Sequence, residues 1–167
     1  MLNDFVAGAM RTKKIEILSN GQPWRPLIDV RDMSRAMVWG VSRRDAQDAQ
    51  PFRVVNVGNN QWNFRIVELA EAAKSILKDV DVTVNSNAAP DKRSYRVNFD
   101  EFNRLAPADL RPKETIEGTI QKLADQLSNA SAVTADFRKG PFMRLNVLRG
   151  LIEAGRIDNK LNFKVLS

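Results

Sequence analysis

The stretch Trp24-Arg25-Pro26-Leu27-Ile28-Asp29-Val30-Arg31-Asp32 decides how this chain is read. Pro23 and Pro26 forbid a helix across it, so Trp24 to Val30 is predicted to be extended. Asp32 then caps a helix whose apolar positions Met33, Ala36, Met37 and Val41 share one face. Arg25, at the head of the extended segment, carries a planar fork suited to phosphate or carboxylate. On spacing alone, an ion pair with a neighbouring Asp is an equally good reading.

Outward from this segment the chain alternates helices with short strands. Leu2 to about Arg11 reads as a helix and Ile15 to Leu18 as a strand, with Asn20-Gly21 as a turn. Phe52 to Val57 is an apolar run ending in Gly58, as expected of a buried parallel strand. Asn63 is placed to cap a helix with Ile66, Leu69, Ala73, Ile76 and Leu77 on one stripe. Val80 to Val84 is another strand, and Thr115 caps a helix with Ile116, Ile120, Leu123 and Leu127 inward. Residues 129–135 are small and polar, and a last helix follows Pro141, with Gly155 as its stop. The pattern is α/β, with too few strands for a complete doubly wound sheet.

Composition narrows the chemistry. The 167 residues include no Cys, no His and a single tyrosine, Tyr95. That excludes a disulfide framework, a thiol nucleophile, a Ser-His-Asp triad and a His or Cys metal site. No apolar run approaches the roughly 18 residues of a membrane span, and the first residues lack a signal peptide's basic start. A cytoplasmic protein is the expectation. The formal net charge is +6. Arg138, Lys139, Arg144, Arg149, Arg156, Lys160 and Lys164 face only Glu153 and Asp158 in the tail, which therefore supplies most of that excess. A basic tail can bind nucleic acid or an acidic surface, but basic positions on one helix are more often a solvated face. The aromatic-plus-basic signature of an RNA-binding sheet is missing, so nucleic acid is not the expected partner.

Two further segments carry polar chemistry. Val54-Val55-Asn56-Val57-Gly58-Asn59-Asn60 ends a strand in Asn and Gly, at the sheet edge where open α/β folds bind ligands, although ordinary turn chemistry explains it as well. Pro90-Asp91-Lys92-Arg93-Ser94-Tyr95-Arg96-Val97-Asn98 places Arg93 and Tyr95 on one face of an extended segment, with Arg96 on the other. Cation plus phenol suits a nucleotide phosphate, and a solvated loop is the plainer reading.

In this order the three segments resemble the carboxyl-terminal part of the extended short-chain dehydrogenase/reductases, the NAD-dependent epimerase/dehydratase family acting on sugar nucleotides. Arg25 to Asp32 matches the family's Arg-x-(aromatic or Leu)-Ile-x-Val-x-Asp strand, and Asn56 to Gly58 with Glu68-Leu69 its Asn-(Val/Leu/Ile)-Gly strand and following helix. Asp91 to Val97 and Thr115 to Gly118 fit its Asp-x-Arg-Ser-Tyr-Arg-Val segment and capped helix. The resemblance covers roughly Leu2 to Leu127. It implies a partial Rossmann-like fold in which the carboxyl-terminal region grips the substrate. By that resemblance Arg25 and Arg93 face the diphosphate, Asp91 and Tyr95 neighbour the nucleotide, and Asn56 lies near the cleft. The strand at Ile15 to Leu18 would line the base pocket, with Glu16 or Leu18 inward.

The family's NAD sits on an amino-terminal Rossmann domain, and a Tyr-x-x-x-Lys pair activates the sugar hydroxyl. Neither is present here. The glycines at 8, 21, 40, 58, 118, 140, 150 and 155 form no dinucleotide fingerprint, and the residue four beyond Tyr95 is Phe99 rather than Lys. The chain is therefore expected to be the substrate-binding half of such an enzyme, short of about 150 residues. It would be inactive alone, hold no NAD and carry no catalytic or metal-ligating residue. The expected organisation is a substrate-binding region over 1–128, a linker over 129–136 and a basic helical tail over 137–167. The strand at Phe52 to Val57 would lack neighbours and favour self-association. The competing expectation is a non-enzymatic binding or assembly module that uses the basic tail.

Overall fold

The computed structural model describes residues 1–43, 52–88, 93–129 and 143–163, in two units, 1–124 and 125–167. In the first, helix α1 (Leu2–Thr12) buries Leu2, Phe5, Val6 and Ala9 at the spacing of one helical face. It ends where Lys13 turns left-handed and its N–H bonds the Ala9 carbonyl. Strand β1 (Lys14–Ile17) follows, with Ile15 and Ile17 buried and the alternate positions exposed. It pairs in parallel with β4 (Asp81–Val84), Ile15 opposite Val82 and Ile17 opposite Val84. The crossover between them runs through α3 (Ile66–Leu77), which packs on α1 and on both strands. Its Leu69, Ala70 and Ala73 are fully buried, so the helix approaches its neighbours through small side chains.

A second sheet pairs β2 (Trp24–Pro26) with β3 (Asn63–Arg65) in antiparallel fashion, Trp24 opposite Arg65 and Pro26 opposite Asn63. From β2 the chain passes into α2 (Val30–Ser42), and α4 (Asp100–Leu105) and α5 (Ile116–Asn129) complete the helices around it. Ala36 of α2 meets Phe102 and Ala106 in a cluster covered by Trp39, Val55 and Val57. Within it the Trp39 and Phe102 rings meet edge to face, 5.3 Å apart. Truncating Phe102, which is fully buried, would cost about 3–5 kcal/mol.

Several expectations are corrected. The cap of α2 is Asp29, whose carboxylate accepts from the Arg31 N–H at 2.8 Å; Asp32 lies one turn inside and is buried. Only Ala36 of the expected α2 stripe is buried. Met33, Met37 and Val41 face outward with Val30 and Val38, and Val41 is 89% exposed. The first turn of α3 is closed by Glu68, which accepts from the Arg65 N–H at 2.7 Å, and Asn63 belongs to β3. Residues 52–57 form no ladder among the described residues. Phe52, Val54 and Asn56 are exposed, and Val55 and Val57 turn inward. A segment with strand composition but no sheet beside it keeps the period of two and loses the pairing. The likeness of α2 and this segment lies in their outward apolar faces.

In the second unit, α6 (Arg144–Glu153) is followed by Gly155, whose φ of +69° is a left-handed conformation that glycine adopts without strain. The Asp158 carboxylate then accepts from the N–H groups of Lys160 and Asn162, closing a turn flanked by an Ile157–Phe163 bridge. Arg144, Leu145 and Arg149 on α6 are exposed. Nearly all of the expected linker, 130–136, lies outside the described residues, whereas Asn129 ends α5.

Candidate functional site

Strands β2 and β3 form a short antiparallel platform, and residues 93–99 are laced to it by side-chain bonds in place of a third strand. The Trp24 N–H donates to Ser94 Oγ at 3.1 Å. The Arg25 guanidinium donates to the carbonyls of Trp24 and Arg93. Asn63 imitates a backbone partner: its Oδ1 accepts from the Val97 N–H at 2.8 Å and its Nδ2 donates to the Val97 carbonyl at 3.0 Å. The Asn60 Oδ1 accepts from the Phe99 N–H at 2.9 Å. Phe99 in turn lies against Gly58, where any Cβ would meet its ring at 2.7 Å. A glycine at 58 is therefore a packing requirement.

The residues that the sequence singles out are placed as follows. Arg25 and Arg93 are brought together, through the first residue's guanidinium and the second's carbonyl. Arg25 is half-buried, while Arg93 and Tyr95 are exposed on the same segment. Asn56 is also exposed, on the 52–57 segment. Asp91 lies outside the described residues. Glu16 and Leu18 do not point inward; both are exposed, and Ile15 and Ile17 occupy the buried face of β1.

Sequence reasoning missed the residues that flank these. The β2–β3 register sets Trp24 opposite Arg65, and the Arg65 guanidinium lies 5.1 Å from the indole centroid. Arg96 approaches the same ring at 4.7 Å. An open groove of about 430 Å³ beside them is lined by Asn60, Asn63, Arg96, Val97 and Asn98. The signal for Arg65 was a cross-strand pairing, which appears only once the register is known.

A different set of charges serves the fold. Asp29 accepts from Arg31 Nε and Nη2 and from Thr119 Oγ1, the last at 2.6 Å. Hydrogen bonds from the Arg31 side chain, outweighing the cost of burial, hold the Asp29 carboxyl well below the usual carboxylate range. Glu114 bridges Arg31 at 2.8 Å and Arg35 at 2.6 Å. Asp32 bonds Arg35 and accepts from the N–H groups of Lys113 and Glu114. This network ties the approach to α5 onto α2. Among the described residues no group of three or more acidic side chains could hold a metal, and no helix is long and apolar enough to cross a membrane.

The described residues define an α/β protein with a parallel strand pair and a short antiparallel pair flanked by arginines. The model of the NAD dependent epimerase/dehydratase family matches residues 1–58. Two solved structures share the fold. RMD from Pseudomonas aeruginosa complexed with NADPH is 18% identical, with a TM-score of 0.59 over 75% of this chain and 40% of its own. The dTDP-glucose 4,6-dehydratase of Bacillus anthracis in complex with NAD is 20% identical, with a TM-score of 0.56 over 79% of this chain and 40% of its own. This chain thus spans less than half the length of either. No curated protein matches it.

Proposed function

We propose that this chain is the sugar-nucleotide-binding portion of an NAD-dependent epimerase/dehydratase of the extended short-chain dehydrogenase/reductase type, corresponding to its carboxyl-terminal region. The observation that carries this reading is the Arg25–Arg93 contact. The Arg25 guanidinium reaches the backbone carbonyl of Arg93, 68 positions on, so the two residues that the family resemblance assigns to one diphosphate lie on adjoining segments. Tyr95 and Asp91 would neighbour the nucleotide, and Asn56 would face the sugar side. A guanidinium fork is suited to bidentate contact with phosphate oxygens, and fixing the diphosphate holds the sugar in register for chemistry elsewhere.

The described residues do not fit NAD. Gly8, Gly40, Gly118 and Gly150 lie inside helices, and the α3 N-terminus, where a phosphate would sit, is closed by the Glu68 carboxylate. No hydride step is therefore assigned to this chain. In the whole enzyme the cofactor and the Tyr-x-x-x-Lys pair would come from a dinucleotide-binding half, and alone the chain would bind without turning over. Its domains would be the substrate-binding region at 1–128, the linker at 129–136 and the basic tail at 137–167, and it would work in the cytoplasm.

The reading is tested by competition among UDP, dTDP, GDP and CDP and their monophosphates on the intact chain. One diphosphate is expected to bind about tenfold more tightly than its monophosphate, and Arg93→Gln to abolish that preference. Equal binding of mono- and diphosphates, with no effect of Arg93→Gln, would overturn it.

A further inference from the structure

Most of the ion-paired arginines of the first unit answer to the fold. Arg31 and Arg35 meet Asp29, Asp32 and Glu114, and Arg53 and Arg104 meet Glu101. Arg65 and Arg96 differ. Both stack on Trp24, and among the described residues neither lies within ion-pair distance of a carboxylate; Arg65 makes only a long 3.4 Å contact to Gln22 Oε1. Two like charges on one indole repel each other, and the ring offsets only part of that cost. An anion would relieve the rest.

A groove lies beside Arg96. Its amides are fixed yet incompletely used. Asn60 gives one N–H to Asp100 and accepts from the Phe99 N–H; Asn98 gives one N–H to the same carboxylate and accepts from the Asp100 N–H. A primary amide has two N–H groups and two lone pairs, so each retains a donor and an acceptor. Both side chains are exposed to the groove's solvent, and Val97 contributes an apolar surface between them. Held amides with spare donors and acceptors, an apolar patch and an uncompensated guanidinium suit a hydroxylated ring that carries an oxyanion.

We propose that this groove binds a sugar-like ring bearing a carboxylate or phosphate, with Arg96 on the oxyanion, Arg65 adding to the field, and Asn60 and Asn98 on the hydroxyls. The site is built from residues other than Arg25, Arg93 and Tyr95, and does not depend on the nucleotide reading.

The test is a titration of the labelled intact chain by ¹H–¹⁵N NMR with glucuronate, glucose 1-phosphate, glucose and inorganic phosphate. The Trp24 indole N–H (identified by Trp24→Phe) and the Asn60 and Asn98 side-chain amides report on the site. Saturable shifts are expected with glucuronate or glucose 1-phosphate, the tighter of the two naming the anion, and about tenfold weaker binding with neutral glucose. Arg96→Gln should weaken the charged sugar about tenfold and Arg65→Gln about threefold. Arg96→Lys, which keeps the charge but loses the fork, covers a folding failure of the first variant and should also weaken binding about threefold. No shift with either charged sugar, inorganic phosphate binding as tightly as glucose 1-phosphate, or undiminished binding in folded Arg96 variants would each overturn the proposal.

Discussion

Two sets of arginines lie on this small unit, and they do opposite things. Arg31 and Arg35 are locked by Asp29, Asp32 and Glu114 around the start of α2. Arg65 and Arg96 rest on an indole with no carboxylate within ion-pair distance among the described residues, and Arg25 donates through Nη1 to the carbonyls of Trp24 and Arg93. The first set carries its anions within the fold. The second, at Arg65 and Arg96, is where we propose that an anion binds. Charge count alone does not separate the two; partner identity does.

The sharpest way to break the comparison is to remove an anion from the first set. Asp32 is buried and accepts two backbone N–H groups as well as Arg35. Asp32→Ala should cost about 3 kcal/mol, read from urea unfolding, because Arg35 and two N–H groups lose their acceptor. A cost under about 1 kcal/mol would place this network with surface ion pairs. The next effect falls on the platform's support. Gly58→Ala drives a methyl into Phe99 and should cost about 2 kcal/mol. It should also loosen the lacing of 93–99, seen as faster amide exchange at Val97 and Phe99.

Acid titration sharpens the contrast further. The Asp29 carboxyl ionises below its ordinary value near 3.8 in the folded chain. Its contribution is therefore complete above the unfolded value and is lost as pH falls through the folded one, since the unfolded chain takes up the proton first. Stability should decline on acidification from about pH 5 to pH 2, and Asp29→Asn should flatten part of that slope. An unchanged slope in the variant would remove Asp29 from the account. The smallest stability effects belong to exposed positions. Arg93→Gln should change stability by no more than about 0.5 kcal/mol, and Val41→Lys by about as little. Val41→Lys combined with Val54→Lys should, however, reduce self-association in sedimentation experiments, because both residues stand on outward apolar faces. A wild-type chain that sediments as a monomer at high concentration would count against those faces as sticky surfaces.

How far the sequence could be read follows the same division between local and distant causes. The stripe of α3 and the cap and stripe of α5 depend on residues within a few turns, and both helices form where periodicity puts them. Periodicity puts the cap of α2 at Asp32, whereas Asp29, three residues earlier, makes it. The choice is fixed by Thr119, Lys113 and Glu114, some 80 to 90 positions away, which no local pattern contains. Periodicity puts Met33, Ala36, Met37 and Val41 on one stripe of α2, but it does not state what covers a face, and only Ala36 is buried. Arg25 and Arg93 were legible as candidates because each sits in a recognisable segment. Trp24, Arg65 and Arg96 became a group only through the register of β2 on β3 and the lacing by Asn63.

We propose that this chain holds a sugar nucleotide. Isothermal titration of the intact chain with UDP-, dTDP-, GDP- and CDP-glucose addresses it most directly. The account predicts saturable binding of at least one of them at sub-millimolar concentration, weakened about tenfold by Arg25→Gln and by Arg93→Gln. A chain shown to be folded that binds none of the four at millimolar concentration would contradict it.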